Sequence, residues 1–157
     1  MNEFSLPEQH PLHLKFLLAM DFGEKFIGLA SFCVNRDPFP TPYGRIANTG
    51  EAHVLKELKK VISDEGIDQL IIGLPHLIDG KKTSSTERAQ AFIDLIRRNF
   101  ALIIHEQDET LSTFEAENRM KNSPRYNFKV DQKEIDAVAA SVILEDFIRR
   151  TKGQSKL

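Results

Sequence analysis

Apolar residues in this chain come as short continuous runs separated by stripes at helical spacing. Residues 16–20, Phe-Leu-Leu-Ala-Met, form a run of strand length that delivers one acid, Asp21. Gly23 and Gly28 then bracket a short turn before a second run at 26–32. The pair predicts a β-hairpin with a carboxylate at its head. A turn-rich connection with Pro38, Pro40 and Pro42 follows, then a short strand over 45–49 closed by Gly50. Val54, Leu55, Leu58, Val61 and Ile62 lie at helical spacing, with Gly66 as the stop. Residues 68–75 read as a buried strand ending in Gly73 and Pro75, and helix followed by buried strand implies a parallel crossover.

The pattern repeats. Ser84 and Glu87 have capping-box spacing, and Ala89, Phe92, Ile93 and Ile96 mark one face of a helix ending near Asn99. Residues 101–105 are a second buried strand, and a second crossover follows. Ser112 and Glu115 open a helix that reaches about Met120. The last helix is predicted from Asp131, with Glu134 completing its cap, and carries Ile135, Val138, Ala139, Val142, Ile143, Leu144, Phe147 and Ile148. A stripe that wide packs against a sheet.

Three acids interrupt this apolar framework. Asp21 ends the first strand, where an ionised side chain needs a metal ion, a basic partner or an open sheet edge, although Asp-x-Gly also suits a plain turn. Glu109 follows the last strand, at the carboxyl end where sites of open α/β sheets gather; a solvated acid at a helix start is the alternative. Asp136 lies on or beside the packing face of the last helix, near its positive end, with small neighbours Ala137, Ala139 and Ala140. If the first strand is central, all three converge. Carboxylates without a nearby run of His or Cys specify hard oxygen ligation, hence Mg²⁺ or Mn²⁺, ions that activate water at a phosphodiester.

Composition narrows the class. A chain of 157 residues with 41% hydrophobic content supports one core, and a net charge of −2 does not advertise a polyanion partner. Local basic clusters must then meet any nucleic acid. Lys25, Lys81, Lys82 and Arg88 are candidates, as is the segment holding Arg119, Lys121, Arg125, Lys129 and Lys133. Tyr126 and Phe128 lie among the latter, and basic residues interleaved with aromatics can track a backbone and stack a base. Each of these cations also suits a solvated surface. The single cysteine, Cys33, lies in an apolar run and reads as a buried structural thiol in a reducing cytoplasm. No apolar run reaches the roughly 18–20 residues needed to span a bilayer. Residues 1–13 read as a flexible lead-in without the pattern of a signal or transit peptide, 14–150 as one domain, and 151–157 as a basic, mobile tail. His10 and His13 have metal-pair spacing, but a plain tail is the stronger reading.

Four motifs in order resemble the YqgF family: Asp-Phe-Gly-x-Lys-x-Ile-Gly at 21–28, Ile-Ile-Gly-Leu-Pro followed by Asp-Gly at 71–80, Asp-Glu-x-Leu-Ser-Thr at 108–113, and Ile-Asp-Ala-x-Ala-Ala at 135–140. The resemblance covers about Leu14 to Arg149. It implies an RNase H-like α/β fold with a five-stranded mixed sheet, three antiparallel strands and then two parallel ones, flanked by helices. It also implies that Asp21, Glu109 and Asp136 are catalytic metal-binding acids of an endonuclease, and that the substrate is precursor 16S rRNA of the small ribosomal subunit, trimmed at its 5′ end. A Holliday junction resolvase acting on branched DNA is the alternative that the family's older label carries. Two positions depart from the common pattern: Thr110 stands where many members have Arg, and Leu77 where many have Asn. Two rivals remain. The Asp-x-Gly hairpin also resembles the start of actin-like and sugar-kinase ATPases, which need a second lobe, and a non-catalytic nucleic-acid-binding regulator could keep the same fold.

Overall fold

A computed structural model describes residues 2–74, 84–108 and 112–154. In chain order the elements are β1 (Phe16–Phe22), β2 (Phe26–Cys33), β3 (Thr41–Ala47), α1 (Glu51–Glu65), β4 (Gln69–Leu74), α2 (Ser84–Asn99), β5 (Ile103–Asp108), α3 (Ser112–Lys121) and α4 (Ile135–Gln154). The sheet order is β3-β2-β1-β4-β5. β1 runs antiparallel to β2 and β2 to β3, whereas β4 is parallel to β1 and β5 to β4. This is the mixed sheet expected, with β1 central.

Alternation along β1 sorts the core into two layers. Leu17 and Ala19 face α4 together with Ala30, Phe32 and Ile71, and meet Ala140, Ile143, Leu144, Phe147 and Ile148. Leu18 and Met20 face the other way with Ile27, Leu29, Leu70 and Ile72, and meet Val54 and Leu58 of α1 and Phe92, Ile93 and Ile96 of α2. Gly66 ends α1 in the left-handed region at φ 62°, its N–H returning to the Ile62 carbonyl, so the turn into β4 is tight. α3 packs beside α4 through Ala116, Met120, Ile135, Val138 and Ala139. Among the described residues no helix is long and apolar enough to cross a membrane.

Several boundaries differ from the expectation. β3 begins at Thr41 and contains Pro42; an edge strand tolerates a missing N–H, so proline marks the edge here and not a loop. β5 continues to Asp108, past the expected end at His105, because an edge strand accepts polar residues such as Glu106 and Asp108 on its exposed side. Residues 131–134 form a turn, closed by Ile135 N–H donating to the Asp131 carbonyl at 2.9 Å, and α4 proper starts at Ile135.

The lead-in is not loose. Phe4, Leu6 and Leu12 are buried in the α4-side core, and Asn35 clamps Leu6 by donating to its carbonyl and accepting from its N–H, both at 2.9 Å. His10 and His13 are committed locally: His10 Nδ1 accepts from Leu12 N–H at 3.0 Å, and His13 Nδ1 lies 2.8 Å from Asn35 Nδ2. At the other end, α4 carries the chain through residues 151–154, where Lys152 Nζ donates to the Asn2 and Glu3 carbonyls at 3.4 and 3.2 Å. Cys33 is buried as expected, and burial raises its thiol pKa.

Candidate active site

One row of residues crosses the sheet on its α4 face. Arg45 pairs with Gly28, Gly28 with Asp21, Asp21 with Gly73, and Gly73 with Gln107. Asp21 therefore stands on the central strand with a glycine on either side, so no side chain flanks it within the row. Helix α4 packs on this face. Its sheet-facing stripe includes Ala140, Leu144 and Phe147, and one turn before Ala140 is Asp136. A Cβ at Gly28 would fall on the Asp136 carbonyl, so the first turn of α4 rests directly on the β2 backbone. Gly28 is thus a seat for the helix inside β2, not the close of a turn, and that seat sets Asp136 beside Asp21.

Electrostatics follow from this approach. Burial pushes the Asp136 carboxyl pKa up, the Asp21 charge pushes it further, and Arg45 opposes both. Arg45 Nη1 lies 3.8 Å from Asp136 Oδ2 and donates to the Gln132 carbonyl at 3.2 Å. Its guanidinium carbon is 3.6 Å from the centroid of the Phe26 ring. The ring and the carbonyl fix the arginine's plane, and the arginine in turn steadies Asp136. Sequence reasoning missed Arg45, which sat at the assumed start of a strand behind three prolines; only its register opposite Gly28 gives it away.

A cleft of about 450 Å³ opens beside Asp136, lined by Gly23, Glu24, Lys25, Phe26, Arg45, Gln132, Lys133 and Ile135. Two of the predicted phosphate-binding cations, Lys25 and Lys133, thus line the same cleft as Asp136. Arg88 lies elsewhere, lining a separate cleft of about 200 Å³ on the α1/α2 side with Phe22, Asn48 and Phe92. Arg119 is bound into the fold: Nη1 and Nη2 donate to both oxygens of the buried Glu145 at 2.6 and 2.7 Å, and Nε donates to Glu115 at 3.2 Å. These bonds raise the Arg119 pKa, led by those it donates to Glu145. Lys121 ends α3, while Arg125 and Lys129 lie on the connection to α4. Glu109, Lys81, Lys82, Thr110 and Leu77 lie outside the described residues.

Among the described residues no group of three metal-ligating side chains is found, and two of the three expected acids come together. What the described residues offer a cation is nevertheless consistent in kind. Asp21 and Asp136 are both oxygen donors and repel each other, which a divalent ion would relieve. At the end of the same row, the buried Gln107 has an Oε1 with no hydrogen-bond partner among the described residues, an uncommon state for a buried oxygen. A hard ion fits this set; a soft one, which wants sulfur or imidazole, does not.

A five-stranded mixed sheet, three antiparallel strands and then two parallel ones, closed by a helix over its central strand, is an RNase H-like fold. Solved structures share it. The Thermus thermophilus RuvC, in a complex with a Holliday junction substrate, superposes with a TM-score of 0.57 over 88% of this chain and 97% of that one, at 7% identity. The yeast mitochondrial Holliday junction resolvase gives 0.52 over 91% and 81%, at 11% identity.

The chain belongs to the RuvX family, described as Holliday junction resolvase, whose profile matches residues 15–150. Its curated relatives are provisionally named pre-16S rRNA nucleases. One from Maridesulfovibrio salexigens is 34% identical over 137 residues, covering 85% of this chain and 98% of the relative. One from Koribacter versatilis is 33% identical, covering 85% and 86%, and one from Legionella pneumophila is 31% identical, covering 86% and 96%.

Proposed function

We propose that this chain is a divalent-metal-dependent endonuclease that hydrolyses phosphodiester bonds in precursor 16S rRNA, trimming its 5′ end on the small-subunit precursor in the cytoplasm. The observation that carries the reading is the Gly28 seat, which brings Asp136 against Asp21 beside a cleft with lysines on its walls. The names of the curated relatives support the rRNA substrate.

Asp21, Asp136 and Glu109 are the residues that would hold Mg²⁺ or Mn²⁺. When bound, such an ion supplies an activated water and neutralises charge that builds at the phosphorus. The rest falls to the chain itself. Arg45 pairs with the Asp136 carboxylate and opposes the rise in its pKa. Lys25 and Lys133 hold phosphates of the strand lying in the cleft, and Lys81, Lys82, Lys121, Arg125 and Lys129 extend that contact along the backbone. Recognition by shape and single-stranded ends suits this surface better than reading of base edges in a groove.

The family's description favours a second reading, cleavage of a four-way DNA junction. The decisive assay sets a labelled 5′-extended small-subunit rRNA fragment beside such a junction, in Mn²⁺ or EDTA, with wild type and Asp21→Asn. Metal-dependent RNA cutting that falls by at least about 100-fold in the variant supports the processing nuclease, since loss of a ligand exceeds the 10–100-fold typical of residues behind one. Cutting of the junction alone transfers the assignment to the resolvase. RNA binding in EDTA with no product from either substrate leaves a non-catalytic binding module.

A further inference from the structure

The connection between α3 and α4 holds one aromatic ring out in solvent. Residues Pro124–Tyr126 form a single 3-10 turn capped by Ser123, whose Oγ accepts from the Arg125 N–H at 3.2 Å. Asn127 and Phe128 follow with φ of 54° and 58°, both in the left-handed region. The turn is closed by Phe128 N–H donating to the Ser123 carbonyl and Lys129 N–H to the Tyr126 carbonyl, each at 3.0 Å. Its flanks are anchored. Tyr126 and Val130 pack on the α3/α4 cluster, and Asp131 N–H donates to Met120 Sδ at 3.4 Å. Phe128, between them, is 60% exposed.

A bulky residue at positive φ is a strained choice where glycine would serve, and a phenyl ring in water gains nothing by burial. Folding alone therefore does not account for Phe128. The other exposed phenylalanines, Phe39 and Phe114, have ordinary backbone, and Phe114 lies on α3 with Glu115 and Glu117 among the next three residues. Phe128 instead has Arg125 and Lys129 around it, and Gln132 and Lys133 just downstream line the cleft at Asp136. Lys133 is five positions beyond Phe128, a reach of at most about 18 Å. A strand held at the cleft passes within range.

We propose that Phe128 is a stacking subsite for an unpaired base of a single-stranded nucleic acid entering the cleft, with Arg125 and Lys129 meeting the flanking phosphates. The proposal rests on the nuclease reading and adds to it a preference for unpaired substrate on this side. Only an unstacked base offers a free π-face to the ring; a duplex keeps its bases stacked on each other. Tyr126, the other aromatic of the segment, is half-buried with Arg125 5.6 Å from its ring, and is spoken for by the fold.

The test uses the full chain in EDTA with a single-stranded RNA oligonucleotide, single-stranded DNA of the same sequence, and the blunt duplex. Phe128→Ala is expected to weaken single-strand binding by about 5- to 150-fold, the range of one lost base stack, and to leave duplex binding unchanged. Phe128→Trp is expected to bind like wild type. The chain contains no tryptophan, so that variant's emission reports only the subsite, and single strands but not duplex should quench it. Phe128→Gly separates stacking from folding, because it should lose the same affinity while its Tm stays level or rises. A loss shared by RNA and DNA supports stacking on any base, and a loss confined to RNA supports it with an added sugar contact. Phe128→Ala binding like wild type, or a Trp variant that single strands do not quench, overturns the subsite. Wild-type cleavage of the rRNA fragment, run in parallel, tells the two failures apart: a chain that cuts RNA without using Phe128 loses only the subsite, whereas one that binds no strand loses both.

Discussion

The face of the sheet under α1 and α2 presents Leu18, Met20, Ile27, Leu29, Leu70 and Ile72, and the helices meet it with Val54, Leu58, Phe92, Ile93 and Ile96. The face under α4 presents Leu17, Ala19, Ala30 and Ile71, and then, at the end where the acids gather, Gly28 and Gly73. The difference is one of thickness. Large side chains on both partners keep the first pair of helices at a distance and build a thick apolar layer with no room for a charge. Small residues on the other side let the backbone of α4 touch the backbone of β2, and a carboxylate carried by that helix can then meet a carboxylate carried by the strand. Stability is distributed over both faces, but the pair of acids meets on only one.

Substitution at neighbouring residues of β2 puts that difference to its hardest test. Gly28→Val should push the first turn of α4 off the sheet, costing about 4 kcal/mol or more and abolishing cleavage, since the Asp136 carbonyl occupies the place of the new Cβ. Ile27→Val, one residue away on the opposite face, deletes a methylene from the thick layer and should cost about 1 kcal/mol with activity per folded molecule intact. Urea denaturation and cleavage assays on the pair check both. If Gly28→Val folds and cuts normally, the two faces are equivalent and the seat has no role.

Sequence alone went far with the thick face and part of the way with the thin one. The hairpin, both crossovers and the central place of β1 follow from runs and stripes whose apolar residues end up buried. Asp21 and Asp136 were visible because each breaks an apolar pattern, and a helix one turn short of Ala140 had to place its acid at the sheet. What the pattern could not carry was register. Gly28 read as the close of a turn because nothing local says that a helix more than a hundred residues later will rest on it. Arg45 was hidden for the same reason, and the prolines before it masked an edge strand. The lead-in misled through its prolines and polar residues, yet Phe4, Leu6 and Leu12 found a non-local groove on the α4 side.

The α4 side also holds a buried polar tie. Glu145 is buried on α4 and takes both arms of Arg119 from α3, with Arg149 3.5 Å away as a second cation. Arg119→Ala leaves that carboxylate largely uncompensated and should cost about 3 kcal/mol, at the low end for a broken buried pair because Arg149 remains. Pairing Arg119→Met with Glu145→Met should restore most of the stability, as two apolar side chains replace two desolvated charges. A double variant no more stable than Arg119→Ala would show that the geometry of the pair, and not its charge balance, holds α3 in place.

The smallest effect expected separates the faces by pH. The cluster beneath α1 and α2 is apolar throughout, whereas His105 on β5 sits on the α4 face, its ring 4.8 Å from that of Phe147 and its Nε2 2.7 Å from Gln69 Oε1. Burial lowers its pKa below the ordinary 6.5, and the Arg150 charge lowers it further. The folded state thus prefers the neutral ring, so the histidine's contribution is complete above pH 6.5 and is lost as the pH falls through the lower folded value. Asp136 and Asp146 run the other way, their carboxyl pKa values being raised mainly by burial, and their effect begins from the carboxylate range near 3.8 upward. Subtraction removes them. The Tm of wild type minus that of His105→Gln should shrink as the pH is lowered from 7 to 5 at fixed salt, by a few degrees at most. A difference that stays constant across that range would mean that His105 protonates equally well in both states, and that the α4 face carries no acid-sensitive ring.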